Sequence, residues 1–108
     1  METKVEISQS KYFRFSRLEG NVEIGRASLF LINNKLHEKP YGLLEDVFVA
    51  EKYREQGIAM ELVREVIKEA QRQECYKLIV FCTQNLIGLY EKLEFERVEE
   101  LEFRMGFK

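Results

Sequence analysis

The sequence predicts an α+β fold with a mixed sheet, on three observations. The front third alternates apolar and polar residues with period two, the period changes to 3.6 from Gly57 onward, and a short apolar run follows at Lys77–Cys82. A strand, a helix and a strand over residues 43–82 read as a right-handed crossover between parallel neighbours, with antiparallel strands expected on both sides.

Taken in order, Val5–Ser8 offers a short leading strand. Phe13 and Phe15 alternate with Arg14 and Ser16, and Glu19-Gly20-Asn21 supplies turn chemistry. Val22, Ile24, Ala27, Leu29 and Leu31 resume the pattern with an irregularity near Gly25, which marks a hairpin with a bulge. Asn33 to Gly42 has loop composition. Leu43–Val49 is an apolar run of strand length, interrupted only by Glu45 and Asp46. Ala59, Leu62, Val63, Val66, Ile67 and Ala70 then recur at helical spacing, while Glu61/Arg64, Glu65/Lys68 and Glu69/Arg72 pair three apart on the other face. Lys77–Cys82 is the buried strand that follows. Asn85–Leu93 makes a short helix carrying Leu86, Leu89 and Leu93 inward, and Leu101, Phe103, Met105 and Phe107 alternate as a last strand.

Length and composition narrow the function. With 108 residues, 45% of them hydrophobic, the chain fits one domain over residues 1–108 with a real core. A formal charge of −2, with 17 Lys and Arg scattered among 19 acids, leaves no basic patch for a nucleic acid. No apolar run approaches the ~20 residues of a membrane span, and the first residues do not start a signal peptide, so a cytoplasmic protein is expected. Cys75 and Cys82 flank one strand and stand about 20 Å apart, beyond disulfide reach. They do not share a metal, and no metal site is expected. His37, the one histidine, sits in the polar loop.

The most informative stretch is the junction of the third apolar strand with the long helix. No Ser, Thr, Asp or Asn stands between Val49 and Ile58 to cap that helix. Its first N–H groups have no intrahelical partner and carry the positive end of the macrodipole, so the junction is built to seat an anion. The spacing Arg54-x-x-Gly57-x-Ala59 resembles the pyrophosphate loop of the GCN5-related N-acetyltransferases (GNAT). Three further segments carry the resemblance in the right order: Leu44-Glu45-Asp46-Val47-x-Val49 before the loop, Cys75-Tyr76-Lys77-Leu78-Ile79 after the helix, and Asn85-x-x-x-Leu89-Tyr90-Glu91-Lys92-Leu93-Glu94-Phe95. The second of these, with Glu45-Asp46, looks most like the glucosamine-phosphate N-acetyltransferase branch and related short acetyltransferases. The resemblance covers about residues 43–105.

The resemblance implies a GNAT-like sheet whose central parallel pair splays around coenzyme A, with flanking helices. It implies acetyl-CoA as co-substrate, its diphosphate on the backbone amides of Arg54, Glu55, Gln56, Gly57, Ile58 and Ala59. The pantetheine arm would lie along Val47, Phe48 and Val49 and meet Asn85, and the Tyr90 hydroxyl would lie near the thioester sulfur. Two departures stand out. Glu94 replaces the glycine usual before the phenylalanine, which strains the chain if that position needs positive φ. The helix pair that commonly lies between the first two strands and walls the acceptor site is missing, so the acceptor site is shallow or completed by a second subunit.

Acetyl transfer needs a neutral amine, a donor for the developing oxyanion and a proton for the leaving thiolate. Strand amides near Val47–Val49 suit the second demand, and the Tyr90 phenol, with a pKa close to that of a thiol, suits the third, the alternative being a helix tyrosine that packs its ring on the sheet. Glu45 and Asp46 are the candidates for meeting the amine. Successive strand residues point to opposite faces, so one of them addresses the cleft unless a bulge turns both. Resemblance favours Glu45, and Asp46 is equally well read as a carboxylate satisfied by backbone N–H groups or a loop lysine. Arg54 is read as a phosphate partner, with a solvated arginine beside Glu55 as the alternative.

The reading is an acetyl-CoA-dependent N-acetyltransferase acting by direct transfer on a primary amine, small or exposed on a macromolecule. The alternatives are an amino-sugar phosphate acetyltransferase and a non-catalytic acyl-CoA-binding domain. Six glutamates between Glu91 and Glu102, against Lys92 and Arg97, fit a cationic acceptor better than a sugar phosphate, though a solvated face is the more common explanation of such a run. The apolar alternation of Leu101–Phe107 suggests a homodimer.

Overall fold

The computed structural model describes residues 1–108. Four strands form one sheet in the order β1-β2-β3-β4: Tyr12–Glu19, Val22–Ile32, Tyr41–Val49 and Leu78–Val80. The first three are antiparallel, and β3 and β4 run parallel. The parallel pair is joined through α1, Ile58–Arg72, and β4 is followed by α2, Ile87–Lys92. Single 3-10 turns at Glu51–Tyr53 and Gln84–Leu86 precede the two helices.

The alternation in β2 decides where the core lies. Ala27, Leu29 and Leu31 point to the face covered by α1, where Leu62, Val63, Val66 and Ala70 meet them with Leu44 and Tyr90. Phe13 and Phe15 of β1, and Leu78 and Val80 of β4, pack on the same cluster. Leu29, Leu44 and Leu62 are almost wholly buried, so truncating any one to alanine would cost about 2–5 kcal/mol. Across α1, Arg17 of β1 reaches Glu61 at 2.7 Å and Glu65 at 3.5 Å, tying the polar flank of the helix to the sheet. No helix is long and apolar enough to cross a membrane.

The opposite face has no helix on it. Tyr12 stacks on Phe30 at 4.5 Å, and a polar chain on that face runs from Arg14 through Glu23 and Arg26 to Asp46. The absence of a helix pair between β1 and β2 follows from the hairpin, which closes in two residues between Glu19 and Val22.

The structure corrects five expectations. The buried strand expected at Lys77–Cys82 is Leu78–Val80 alone, half-buried, with Phe81 65% exposed. Val5–Ser8 forms no strand; residues 1–11 are exposed. Leu101–Phe107 forms none either, and Leu101, Phe103, Met105 and Phe107 are 78–92% exposed. A strand needs a neighbour for its N–H and C=O groups, and β4 offers three paired residues instead of six, too short an edge to template another strand. The parallel pair therefore has antiparallel strands on one side only. Finally, Leu86 falls in the 3-10 turn and is 37% exposed, and the buried residue of α2 is Tyr90. The exposed ends give a radius of gyration of 16.1 Å, against the ~13 Å of a compact chain this long.

Candidate functional site

The site is built around the point where β3 and β4 part. Their register runs Gly42 to Leu78, Leu43 to Ile79 and Leu44 to Val80, and stops there. Beyond Leu44, β3 keeps its antiparallel partner β2 but has no neighbour on the other edge. A bulge coincides with the split: Ser28 faces Glu45 and Arg26 faces Phe48, so Asp46 and Val47 together oppose Ala27. Asp46 takes a left-handed φ of 55° there.

The bulge decides which groups face the open edge. The Ala50 N–H bonds to the Ile24 carbonyl at 2.8 Å, toward β2. Alternation along the strand then turns Phe48 toward β2 and the amides of Val47 and Val49 away from it. The Val49 carbonyl accepts from Arg54 Nε at 2.9 Å, which folds the arginine back across this edge.

Glu45 and Asp46 both lie on the helix-free face. Glu45 is placed there by its pairing with Ser28, and it is exposed. Asp46 is placed there by the bulge, and its carboxylate accepts from Arg26 Nε at 2.7 Å. That hydrogen bond, with the positive charge behind it, holds the Asp46 carboxyl below its ordinary range. Arg26 also lies 4.4 Å from the centroid of the Phe48 ring. Glu23, held low by Arg14 first and by the Ser16 hydroxyl second, backs the arginine at 3.7 Å.

The junction before α1 has the uncapped form its sequence predicts. After the turn Glu51–Tyr53, Glu55 and Gly57 take φ of 65° and 81°, and α1 begins at Ile58 with no side-chain cap. The first intrahelical bond runs from Glu61 N–H to the Gly57 carbonyl, so the amides of Ile58, Ala59 and Met60 stand ahead of the ladder. A Cβ on Gly57 would meet nothing within 4 Å. On the inner side, a Cβ on Gly25 would come within 3.2–3.3 Å of Leu62, Ile58 and the Phe48 carbonyl, so the bare glycine lets α1 start close against β2 and β3.

On the far side of the split, Asn85 sits in the turn Gln84–Leu86, where its Oδ1 accepts from the Thr83 hydroxyl. Tyr90 follows on α2, 5% exposed, its ring in the core and edge-on to Phe95. Its hydroxyl makes no hydrogen bond within the protein, and no fully buried side-chain oxygen lacks a partner, so the hydroxyl reaches solvent. Burial pushes the phenol pKa up, and the neighbouring Cys82 raises it further.

Two groups gather here: Val47, Val49 and Arg54 at the open edge with Gly57, Ile58 and Ala59 behind them, and Asn85 and Tyr90 across the split. Glu45 and Asp46 stand on the helix-free face, and Tyr90 on the α1 face. Arg26 joins them without having been singled out in the sequence, and Cys82 without having been assigned to the site. Arg26 had one readable signal, its position in alternation with buried Ala27; Cys82 had only its place after the apolar run.

The profile described as "Acetyltransferase (GNAT) family" matches residues 3–95. The chain belongs to the GNAT family. Among curated GNAT relatives, glucosamine 6-phosphate N-acetyltransferase of Candida albicans is 32% identical over 72 residues, 66% of this chain and 48% of that protein. The enzyme of that name from Schizosaccharomyces pombe is 35% identical over 81 residues, 74% of this chain and 73% of that one. The chain thus spans about half the length of the Candida relative. Among solved GNAT structures, glucosamine-6-phosphate N-acetyltransferase from Arabidopsis thaliana superposes with a TM-score of 0.83 at 19% identity, covering 90% of this chain and 67% of that one. An acetyltransferase from Trypanosoma brucei superposes at 0.79 with 26% identity, covering 89% and 69%. The GNAT fold is therefore shared from β1 through α2.

Proposed function

We propose that this GNAT chain is an acetyl-CoA-dependent N-acetyltransferase that passes the acetyl group directly to a primary amine. The observation that carries it is the end of β3–β4 pairing at Leu44 and Val80, in line with an uncapped helix start. The free edge at Val47 and Val49 suits an extended pantetheine arm, bound as a further strand would be. The amides from Arg54 to Ala59 suit its diphosphate, and the open space over Gly57 suits close approach of phosphate to backbone. On this reading a strand amide donates to the acetyl carbonyl as negative charge develops, and the Tyr90 phenol donates its proton to the leaving thiolate. The raised phenol pKa keeps that proton available through neutral pH. Glu45, on the other face of the split, accepts the amine proton directly or through water.

Acetyl-CoA that binds the native state alone must raise the melting temperature, by about 2.7 kcal/mol of stability at a hundredfold excess over Kd. A melting temperature unmoved by millimolar acetyl-CoA overturns the reading. A turnover screen of amines, read by the free thiol of released coenzyme, then finds the acceptor.

The narrower reading, an amino-sugar phosphate acceptor, is favoured by the names of the curated relatives. Against it, Arg14 and Arg26 near Glu45 are already engaged by Glu23 and Asp46. With Glu45 these groups sum to a charge of about −1, which suits a cationic amine better than a phosphate.

We also propose a homodimer. The free alternating residues Leu101–Phe107 and the helix-free face beside Glu45 both suit coverage by a second copy. Sedimentation at tens of micromolar protein giving only a 12.9 kDa species would count against it. The unpaired thiols of Cys75 and Cys82 fit a reducing, cytoplasmic setting.

A further inference from the structure

The bulge at Asp46 is where β3 leaves its regular course, and one side chain spans it. Arg26 stands opposite Phe48 in the β2–β3 register, just past the bulge, and lies against the Phe48 ring at 4.4 Å. From that position its Nε reaches back to Asp46 Oδ2 at 2.7 Å. Glu23 Oε2 lies 3.7 Å from Arg26 Nη1, and Glu23 is itself held by Arg14 at 2.7 Å and by the Ser16 hydroxyl at 2.7 Å. The chain of contacts crosses three strands and ends at the one β3 residue with positive φ.

We infer that Arg26 is a positioning residue for the site: by clamping Asp46 in its left-handed conformation against Phe48, it sets which way the Val47 and Val49 amides face at the open edge. A surface ion pair alone would be weak. Here the carboxylate contact and the aromatic contact bracket the bulge from both sides, so losing the arginine releases the bulge as well as a charge. Asp tolerates left-handed φ better than most residues but does not prefer it, so an unclamped Asp46 is free to return to extended backbone. That return would shift the strand register by one residue and exchange the groups on the open edge.

The coenzyme consequence rests on the acetyltransferase reading; the effect on the bulge does not. The first measurement is therefore made on free protein, following the backbone amide resonances and hydrogen exchange of Val47–Val49 in wild type, Arg26→Ala and Arg26→Lys. Arg26→Ala is expected to move these resonances and raise exchange at Phe48, the amide of this stretch that faces β2, at least tenfold, with Arg26→Lys intermediate because it keeps the charge but loses the planar contact. The decisive arm is Asp46→Gly, since glycine adopts positive φ without a clamp. In that background, adding Arg26→Ala should change exchange at Phe48 less than twofold. Unmoved amides in a folded Arg26→Ala protein would overturn the proposal, as would an Arg26→Ala effect equally large in the Asp46→Gly background. If Arg26→Ala fails to fold, the comparison of Arg26→Lys in the two backgrounds decides in the same way.

The second measurement is acetyl-CoA affinity by calorimetry. Arg26→Ala should raise Kd about tenfold with the same site stoichiometry. A wild type that does not bind acetyl-CoA at all would sink the acetyltransferase reading and leave the amide measurements to judge the clamp.

Discussion

The Tyr90 carbonyl accepts from the Phe95 N–H at 3.0 Å while the two rings meet edge-on, their centroids 5.4 Å apart. With the Glu94 N–H bonded to the Glu91 carbonyl at 3.0 Å, this closes α2 as a Schellman motif, and Phe95 supplies its usual hydrophobic contact. The motif demands a left-handed residue between helix and phenylalanine, and that residue is Glu94, at φ 69°. The helix that carries Tyr90 is thus stopped by a residue poorly suited to the stop.

Glu94→Gly should therefore stabilise the protein. Left-handed backbone costs a non-glycine residue ~1–3 kcal/mol, and the extra freedom of an unfolded glycine returns ~0.5–1 kcal/mol of that. The expected net gain is about 1 kcal/mol, or about 4–8 °C in melting temperature, for a domain of this size. Urea denaturation checks it, and an unchanged or lower midpoint would show that Glu94 sits there without strain.

The same residue shows what the sequence could carry. Glu94 stands out because it replaces the glycine usual in the family segment that Asn85–Phe95 resembles, and such a segment is local. The β1–β2 hairpin, the irregularity at Gly25 and the β3-α1-β4 unit were legible for the same reason: period and turn residues are written within a dozen positions. The Leu101–Phe107 strand failed because alternation states which side of a strand would be apolar, not whether a neighbour exists to pair with it. Leu86 is exposed because a 3-10 turn at Gln84–Leu86 changes the phase before the α-helix begins. At the site, the uncapped start of α1 could be read from residues 50–57. The engagement of Asp46 by Arg26 could not, because it depends on cross-strand register over 20 positions.

Substitutions at Gly57 should separate coenzyme binding from folding. Its φ of 81° and the empty space where a Cβ would stand predict that Gly57→Ala folds with a modest loss, about 1 kcal/mol. Gly57→Val adds a branched side chain over the amides of Ile58 and Ala59. It should lose the thermal shift given by acetyl-CoA while keeping its helical circular dichroism. A full shift in Gly57→Val would mean that no phosphate approaches that turn.

The polar chain on the helix-free face sets the acid side of the stability profile. Asp46 and Glu23 titrate below their ordinary values, Asp46 chiefly through Arg26 and Glu23 chiefly through Arg14. A depressed carboxylate contributes stability that is present above the unfolded pKa, near 4, and is lost as pH falls through the folded value. Tyr90 works in the opposite range. Its phenol is raised by burial, so its contribution is present below the unfolded pKa near 10 and is lost as pH rises beyond it. Melting temperature should accordingly fall below about pH 4 and above about pH 10. Asp46→Asn should flatten the acid limb and Tyr90→Phe the alkaline one, and salt should weaken the first more than the second.

Catalyst and sensor are told apart by Glu45 and Tyr90, which stand on opposite sides of the split. If Glu45 removes the amine proton, Glu45→Gln should keep acetyl-CoA affinity and lower turnover by about 10²–10⁴, the span of a general base. That loss should shrink as pH rises, because more of the acceptor is then already neutral. Tyr90→Phe keeps the edge-on contact with Phe95 and the place in the core, so its melting temperature at neutral pH should stay near wild type. It removes the proton source, so turnover should fall without relief at high pH. Wild-type rates in both variants with the true acceptor would show that neither group moves a proton. Firm acetyl-CoA binding by a wild type that turns over no amine across a broad panel would favour a non-catalytic acyl-CoA-binding domain, since the same split and helix start would then serve binding alone.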